Sequence, residues 1–218
     1  MFVDFYGSSL EHDESVFIPT TITKFAALKI PVEGKKVLDL GCGIGPLAIY
    51  YAKNGADSVT AADVYDRHVE YTKWNAMRND VDIEVIQSDL FENIEEKFDV
   101  ISCDVSGVDR RVAEMSGWFP NGVPTADETG ADIICRAIKD APRYLNKGGE
   151  LYVCATQFSD LKKIQDAMEK NNGSMIFEKP IPFSKELVEN VDRLNPEHYQ
   201  KRGSRYTWNF SLWKLEVA

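Results

Sequence analysis

The sequence is poor in the features that tie a protein to metals, membranes or nucleic acid. Its three histidines, His12, His68 and His198, are scattered, and its four cysteines, Cys42, Cys103, Cys135 and Cys154, form no C-x-x-C pair, so no zinc or redox motif is visible. The cysteines read as small buried hydrophobes and the histidines as surface or capping residues. No apolar run approaches the roughly 20 residues of a membrane span. The start, Met1-Phe2-Val3-Asp4-Phe5-Tyr6, lacks the basic flank and apolar stretch of a secretion signal. The expectation is a cytoplasmic protein with no membrane partner. Basic residues are also in deficit: 25 Lys and Arg against 35 Asp and Glu give a formal net charge of −10, which disfavours phosphate backbones. A local basic patch is still compatible with that sum.

What is present is an ordinary globular composition, 44% hydrophobic and 28% charged over 218 residues, enough to bury a core without disulfides or metals. No repeat, low-complexity tract or linker divides the chain. One domain over residues 1–218 is expected, with residues 1–30 as a lead-in or lid. From residue 36 onward, short β-branched runs alternate with helical patterns, the signature of βαβ units. Strands are expected near 36–40, 58–63, 82–87, 98–103 and 150–155, then over Ser174 to Pro182 and Arg205 to Val217. Helices are expected from Ile44 to Asn54, over 66–78, near Val108 to Met115, over 128–145 and near 159–171. In the last strand the even-numbered aromatics Tyr206, Trp208 and Phe210 should share one face.

The most informative segment is Lys36-Val37-Leu38-Asp39-Leu40-Gly41-Cys42-Gly43-Ile44-Gly45, an apolar strand running into a glycine-rich turn and a helix. Glycine is needed where backbone bends tightly and approaches a ligand closely. A dinucleotide fingerprint starting at Gly41 requires glycine at position 46, where this chain has Pro46. The pattern Asp39-x-Gly41-x-Gly43-x-Gly45 instead resembles motif I of the class I S-adenosylmethionine (SAM) dependent methyltransferases. The resemblance implies SAM as cofactor and a Rossmann-like α/β fold. Its sheet would be seven-stranded and mostly parallel, with helices on both faces and an antiparallel last strand. It further implies contacts from Asp39, Gly41, Cys42, Gly43 and Gly45. Asp63, 18 positions beyond Gly45, ends the second strand and would accept the ribose hydroxyls, with Val64 beside it; the bland alternative is an exposed loop acid. Asp89 and Leu90, after the third strand, would meet the adenine, unless Asp89 caps a helix.

A narrower resemblance covers roughly residues 15 to 155. Val16-Phe17-Ile18-Pro19 followed by Thr23 is similar to the entry segment of the small-domain group that includes the release-factor glutamine methyltransferases and several rRNA guanine methyltransferases. That places Thr23 near the cofactor's methionine end; equally, Thr20, Thr21 or Thr23 reads as a helix cap. Asp127 to Gly130, Ala141-Pro142-Arg143-Tyr144-Leu145 and Gly148-Gly149 also resemble the group. The departure comes after the fourth strand, where the group carries N-P-P-Y or D-P-P-Y and this chain has Asp104-Val105-Ser106-Gly107. Both prolines and the stacking aromatic are missing, which puts methylation of a planar amide or exocyclic amine by the usual geometry in doubt.

Asp104 remains the catalytic candidate, because a carboxylate at the carboxyl end of a central strand faces the ligand crevice; the alternative is a cap for the helix near Val108. Ser106, Trp118, Phe119 and Tyr6 are candidate substrate contacts, the two aromatics from the turn-rich stretch Met115 to Pro124. The leading expectation is methyl transfer to a nitrogen or oxygen of a small-molecule or protein acceptor. An rRNA or tRNA methyltransferase and a non-catalytic SAM-binding subunit stay open.

Overall fold

The computed structural model describes residues 1–119 and 128–218. The chain opens with β1 (Phe2–Phe5), β2 (Ser8–Glu11) and α1 (Thr21–Lys29). A βαβαβ run follows: β3 (Lys36–Leu40), α2 (Pro46–Lys53), β4 (Ser58–Asp63), α3 (Asp66–Arg78) and β5 (Glu84–Gln87). Then come β6 (Phe98–Cys103), α4 (Arg110–Ser116), α5 (Asp132–Asp140), β7 (Leu145–Thr156) and α6 (Leu161–Glu169). The C-terminal part holds β8 (Ser174–Pro182), α7 (Lys185–Glu189), β9 (Gln200–Arg202) and β10 (Arg205–Glu216).

The branched runs assemble into one sheet of order β5-β4-β3-β6-β7-β10-β8. Neighbours from β5 to β7 pair in parallel, and β10 is antiparallel to both β7 and β8. The last strand therefore runs against the other six, as its expected reversal requires. The expected count of seven needs one addition: β9, three residues long, folds back antiparallel on the start of β10.

Side-chain alternation along the strands splits the core in two. Val37, Ala61, Val100, Tyr152, Phe210 and Leu212 pack with α1 and α2, whereas Leu38, Leu40, Ile101, Leu151, Val153 and Trp213 pack with α5 and α6. Helices thus cover both faces, and Trp208 shares the Phe210 side as the even-numbered pattern requires. This is the Rossmann-like architecture, with the carboxyl ends of β3, β4 and β6 meeting at the strand-order reversal.

Three local features differ from the sequence reading. The hairpin β1–β2 was not anticipated, because its strands are four residues each with no alternation long enough to register. The helix expected over 128–145 is only Asp132–Asp140, followed by a 3₁₀ turn at Ala141–Arg143, since Pro142 has no N–H to continue the ladder. A short α7 lies between the last long strands. Asp127, and Pro120 to Pro124 of the expected enclosing stretch, lie outside the described residues. Among the described residues no helix is long and apolar enough to cross a membrane, and no cluster of metal-ligating side chains occurs.

Candidate functional site

The turn after β3 is built from glycines that serve different needs. At Gly41, φ is +76° and an added Cβ would lie 2.8 Å from Val105 and 3.3 Å from the Asp104 carbonyl, so the end of β6 fixes this glycine. At Gly43, φ is +55° and a Cβ would meet no protein atom within 4 Å, which leaves an open cradle facing the crevice. At Gly45, φ is +86° and a Cβ would crowd Thr72 at 3.1 Å. Pro46 then starts α2, where its missing N–H costs nothing. Helix α3 braces the turn from outside: Thr72 Oγ1 donates to the Gly43 carbonyl at 2.8 Å and Asn75 Nδ2 to the Ile44 carbonyl at 2.9 Å.

A cavity of about 530 Å³ opens over this turn. Its lining brings together Thr23, Asp39, Gly41, Cys42, Gly43, Asp63, Val64, Asp89, Leu90, Asp104, Ser106, Trp118 and Phe119 from across the chain. Two expected site residues are elsewhere. Gly45 lies behind the turn and acts through backbone conformation and packing on α3. Tyr6 sits in the β1–β2 turn, half exposed, its hydroxyl on the Lys24 carbonyl at 3.2 Å and its ring against Phe5 and Tyr50; it corrects to a hairpin-anchoring residue.

Each acid in the cavity is held differently. Asp39 is buried, accepting from Ala48 N–H at 3.1 Å and from Ser102 Oγ at 3.0 Å, so it ties the start of α2 to β3 and β6. Burial pushes its pKa up to about 7, with nearby Asp104 and Asp63 adding to the rise against the Ser102 hydrogen bond. Asp63 accepts from Gly43 N–H at 2.9 Å, Tyr65 N–H at 3.0 Å and His68 Nδ1 at 3.0 Å. It is 7% exposed, so the loop-acid alternative does not hold. Asp89 pairs with Arg136 Nη2 at 2.9 Å and caps no helix. Leu90 takes φ +51°, a left-handed conformation costly for a leucine, with its carbonyl held by Ser88 Oγ at 2.9 Å.

At the other end, Thr23 takes part in the cap of α1 and also faces the cavity. It is the fourth residue of a capping box on Thr20, accepting from Thr20 N–H at 3.2 Å. Thr23 and Cys154 are the polar groups that act on the Asp104 carboxylate. Burial raises Asp104 to about 6, and these two groups limit the rise. The cap of α4 is Asp109, whose carboxylate accepts from Arg111 N–H at 2.8 Å, so Asp104 is free of that duty. Ser106 Oγ is buried at the wall with no hydrogen-bond partner. Where the N-P-P-Y pattern would carry its aromatic, a Cβ on Gly107 would lie 2.6 Å from the Ile134 Cδ1, which would have to shift. Aromatic surface comes instead from Trp118 and from Phe119, whose ring meets Phe17 edge-on at 5.0 Å.

Sequence reasoning missed His68 and Cys154. His68 is 4% exposed and lines the cavity rather than the surface. Its helical position, five residues after Asp63, was the available signal. Cys154 reaches Asp104 because Cys103 and Val153 are register partners, which strand order alone decides.

The fold and this crevice are of the Rossmann-like methyltransferase kind. A family model for the methyltransferase small domain matches residues 19–104, the span from the entry segment to Asp104. Release factor glutamine methyltransferase of Streptococcus pneumoniae is 35% identical over 160 residues, covering 69% of this chain and 57% of that enzyme. A Methanocaldococcus jannaschii protein described as a protein N5-glutamine methyltransferase is 29% identical over 198 residues, 89% of this chain and 100% of that one. The Thermus thermophilus 16S rRNA N2 G1207 methyltransferase, solved with AdoMet and guanosine, superposes with a TM-score of 0.61 at 16% identity, covering 100% of this chain and 50% of that one. At that identity the likeness speaks for the fold. The chain spans little more than half of the S. pneumoniae relative's length.

Proposed function

We propose that this protein binds SAM in the 530 Å³ cavity and transfers its methyl group to a nitrogen of a protein or small-molecule acceptor. The observation that carries the reading is the sign of the cavity. Five carboxylates line it, those of Asp39, Asp63, Asp89, Asp104 and Asp132, and Arg136 is the lone Lys or Arg among the described lining residues, already paired with Asp89. A pyrophosphate would meet carboxylates where it needs donors, whereas a sulfonium is attracted by them. The open cradle at Gly43 fits close approach of a ligand.

SAM supplies a carbon already activated for displacement, so the protein's part is to align an acceptor, exclude water and receive its proton. Asp104 suits that part. It sits at the end of β6 among Thr23, Cys154 and Ser106, and no cation accompanies it in the factors that set its pKa. A partly desolvated carboxylate without a cation favours a ligand that brings N–H donors, and disfavours a carboxylate or phosphate acceptor. The relatives' names put their acceptor on a protein; the Asp104-Val105-Ser106-Gly107 departure argues for an acceptor group held differently from a glutamine amide.

The test is incubation of the protein with tritiated-methyl SAM and cell extract, separated into protein, RNA and small-molecule fractions. Label is expected in the protein or small-molecule fraction, and its loss is expected with Asp104→Asn while S-adenosylhomocysteine still binds. Label confined to RNA would overturn the acceptor assignment. No transfer by a protein that binds the cofactor product would leave a binding subunit as the better reading.

A further inference from the structure

Asp63 does not act alone at its end of the cavity. His68, one turn into α3, is 4% exposed and lies with Nδ1 3.0 Å from Asp63 Oδ1. A carboxylate only accepts, so Nδ1 carries the proton that faces Asp63, and Nε2 is the ring nitrogen left to meet a ligand. Among the described residues nothing hydrogen-bonds Nε2, yet the ring lines the cavity. Tyr65 and Phe17 fix the ring's orientation, meeting it edge-on with centroids at 5.3 and 6.3 Å. Packing alone does not account for this residue. An apolar side chain would fill the space as well, whereas the imidazole offers Nε2 to the cavity with no protein partner.

The geometry points to His68 as a second ligand-contacting residue: Asp63 and His68 together hold a vicinal diol, one hydroxyl donating to the carboxylate and the other hydrogen-bonded to His68 Nε2. The chemistry of the pair selects that class. A carboxylate accepts and an imidazole nitrogen either accepts or donates, so the matching group must donate at one point and do either at the other, which a phosphate or carboxylate cannot. A hydroxyl also stays bonded if the ring takes a second proton, because it can accept as well as donate. The inference rests on the cavity being the SAM site, where the diol is the ribose.

Calorimetric titration with S-adenosylhomocysteine and with its 2′-deoxy and 3′-deoxy counterparts separates the two levels of the argument. Wild-type binding of S-adenosylhomocysteine tests the site itself; without it, both the site and the diol grip fall. His68→Asn keeps an N–H where Nδ1 lies, and so the bond to Asp63, but removes Nε2. It is expected to weaken S-adenosylhomocysteine binding about tenfold, as is His68→Ala. Against one of the two deoxy ligands, wild type and His68→Asn are expected to bind equally, since the hydroxyl that Nε2 meets is gone. If His68→Asn binds all three ligands as wild type does, the ring only orients Asp63 and the proposal is overturned. An equal loss on all three ligands would overturn it as well, because a general structural defect does not distinguish one hydroxyl.

Discussion

At the scale of single residues, the chemistry turns on two cavity carboxylates with opposite duties. Asp104 is raised to about 6 by burial, so its ionised form dominates above that pH. The expected kcat/KM falls as pH drops through about 6, and Asp104→Asn lowers kcat about a hundredfold or more and removes that limb; a pH-rate profile on both proteins checks it. Asp39 is raised to about 7 and is structural, spent on Ala48 and Ser102. Both folded-state values lie above those of an unfolded chain. These groups therefore contribute stability that is fully present below the ordinary carboxylate range and is lost as pH rises through about 6 and 7. Urea unfolding between pH 5 and 8 should show this decline, flattened in Asp39→Asn. Asp39, Asp63, Asp89 and Asp104 were legible in the sequence because each lies at or just past the carboxyl end of its own strand and local order places it. His68 was not, since its one signal, a place on the helix five residues after Asp63, gains meaning only once Asp63 is seen to share its space. Tyr6 misled for the reverse reason: an aromatic near the chain start says nothing about which side of a hairpin turn it faces.

At the scale of elements, the site depends on how α1, α2 and α3 begin and what they brace. Thr20→Ala removes the capping box of α1 and should cost about 1 kcal/mol in urea unfolding. Thr23 couples that cap to Asp104, so Thr23→Val is expected to move the acid limb of the pH-rate profile upward by withdrawing a polar group that lowers the carboxyl. Gly45→Ala should destabilise by about 1–3 kcal/mol, because it needs φ +86° and crowds Thr72 at 3.1 Å. The strands from β3 to β6 and helix α3 could be drawn from the sequence nearly to the residue, since period-2 and period-3.6 patterns are strong there. The hairpin β1–β2 could not, because two four-residue strands joined at Tyr6 and Gly7 offer too few positions for alternation to show. The shortened α5 is a contest between an apolar stripe, which runs on to Leu145, and Pro142, which ends the helix.

At the scale of the whole molecule, sheet order converts scattered residues into one crevice. The neighbours of β3 are β4 and β6, so the ends carrying Gly41, Asp63 and Asp104 converge where the crossovers part to either side. The N-terminal hairpin is fastened to this region by Asn75 on α3, which bonds the Glu11 N–H at 2.7 Å, the Glu11 carbonyl at 3.1 Å and the Ile44 carbonyl at 2.9 Å. Asn75→Ala leaves those groups unpaired and is expected to cost on the order of 3 kcal/mol, with cofactor affinity falling as the glycine turn loosens. The acidic cavity also sets the account's central claim against its nearest rival, since the same fold serves dinucleotides when donors rather than carboxylates meet the ligand. Titration calorimetry with S-adenosylhomocysteine and, separately, with NAD is the most direct measurement: one S-adenosylhomocysteine bound per chain and no heat from NAD is the predicted result, and NAD binding in place of S-adenosylhomocysteine would contradict it.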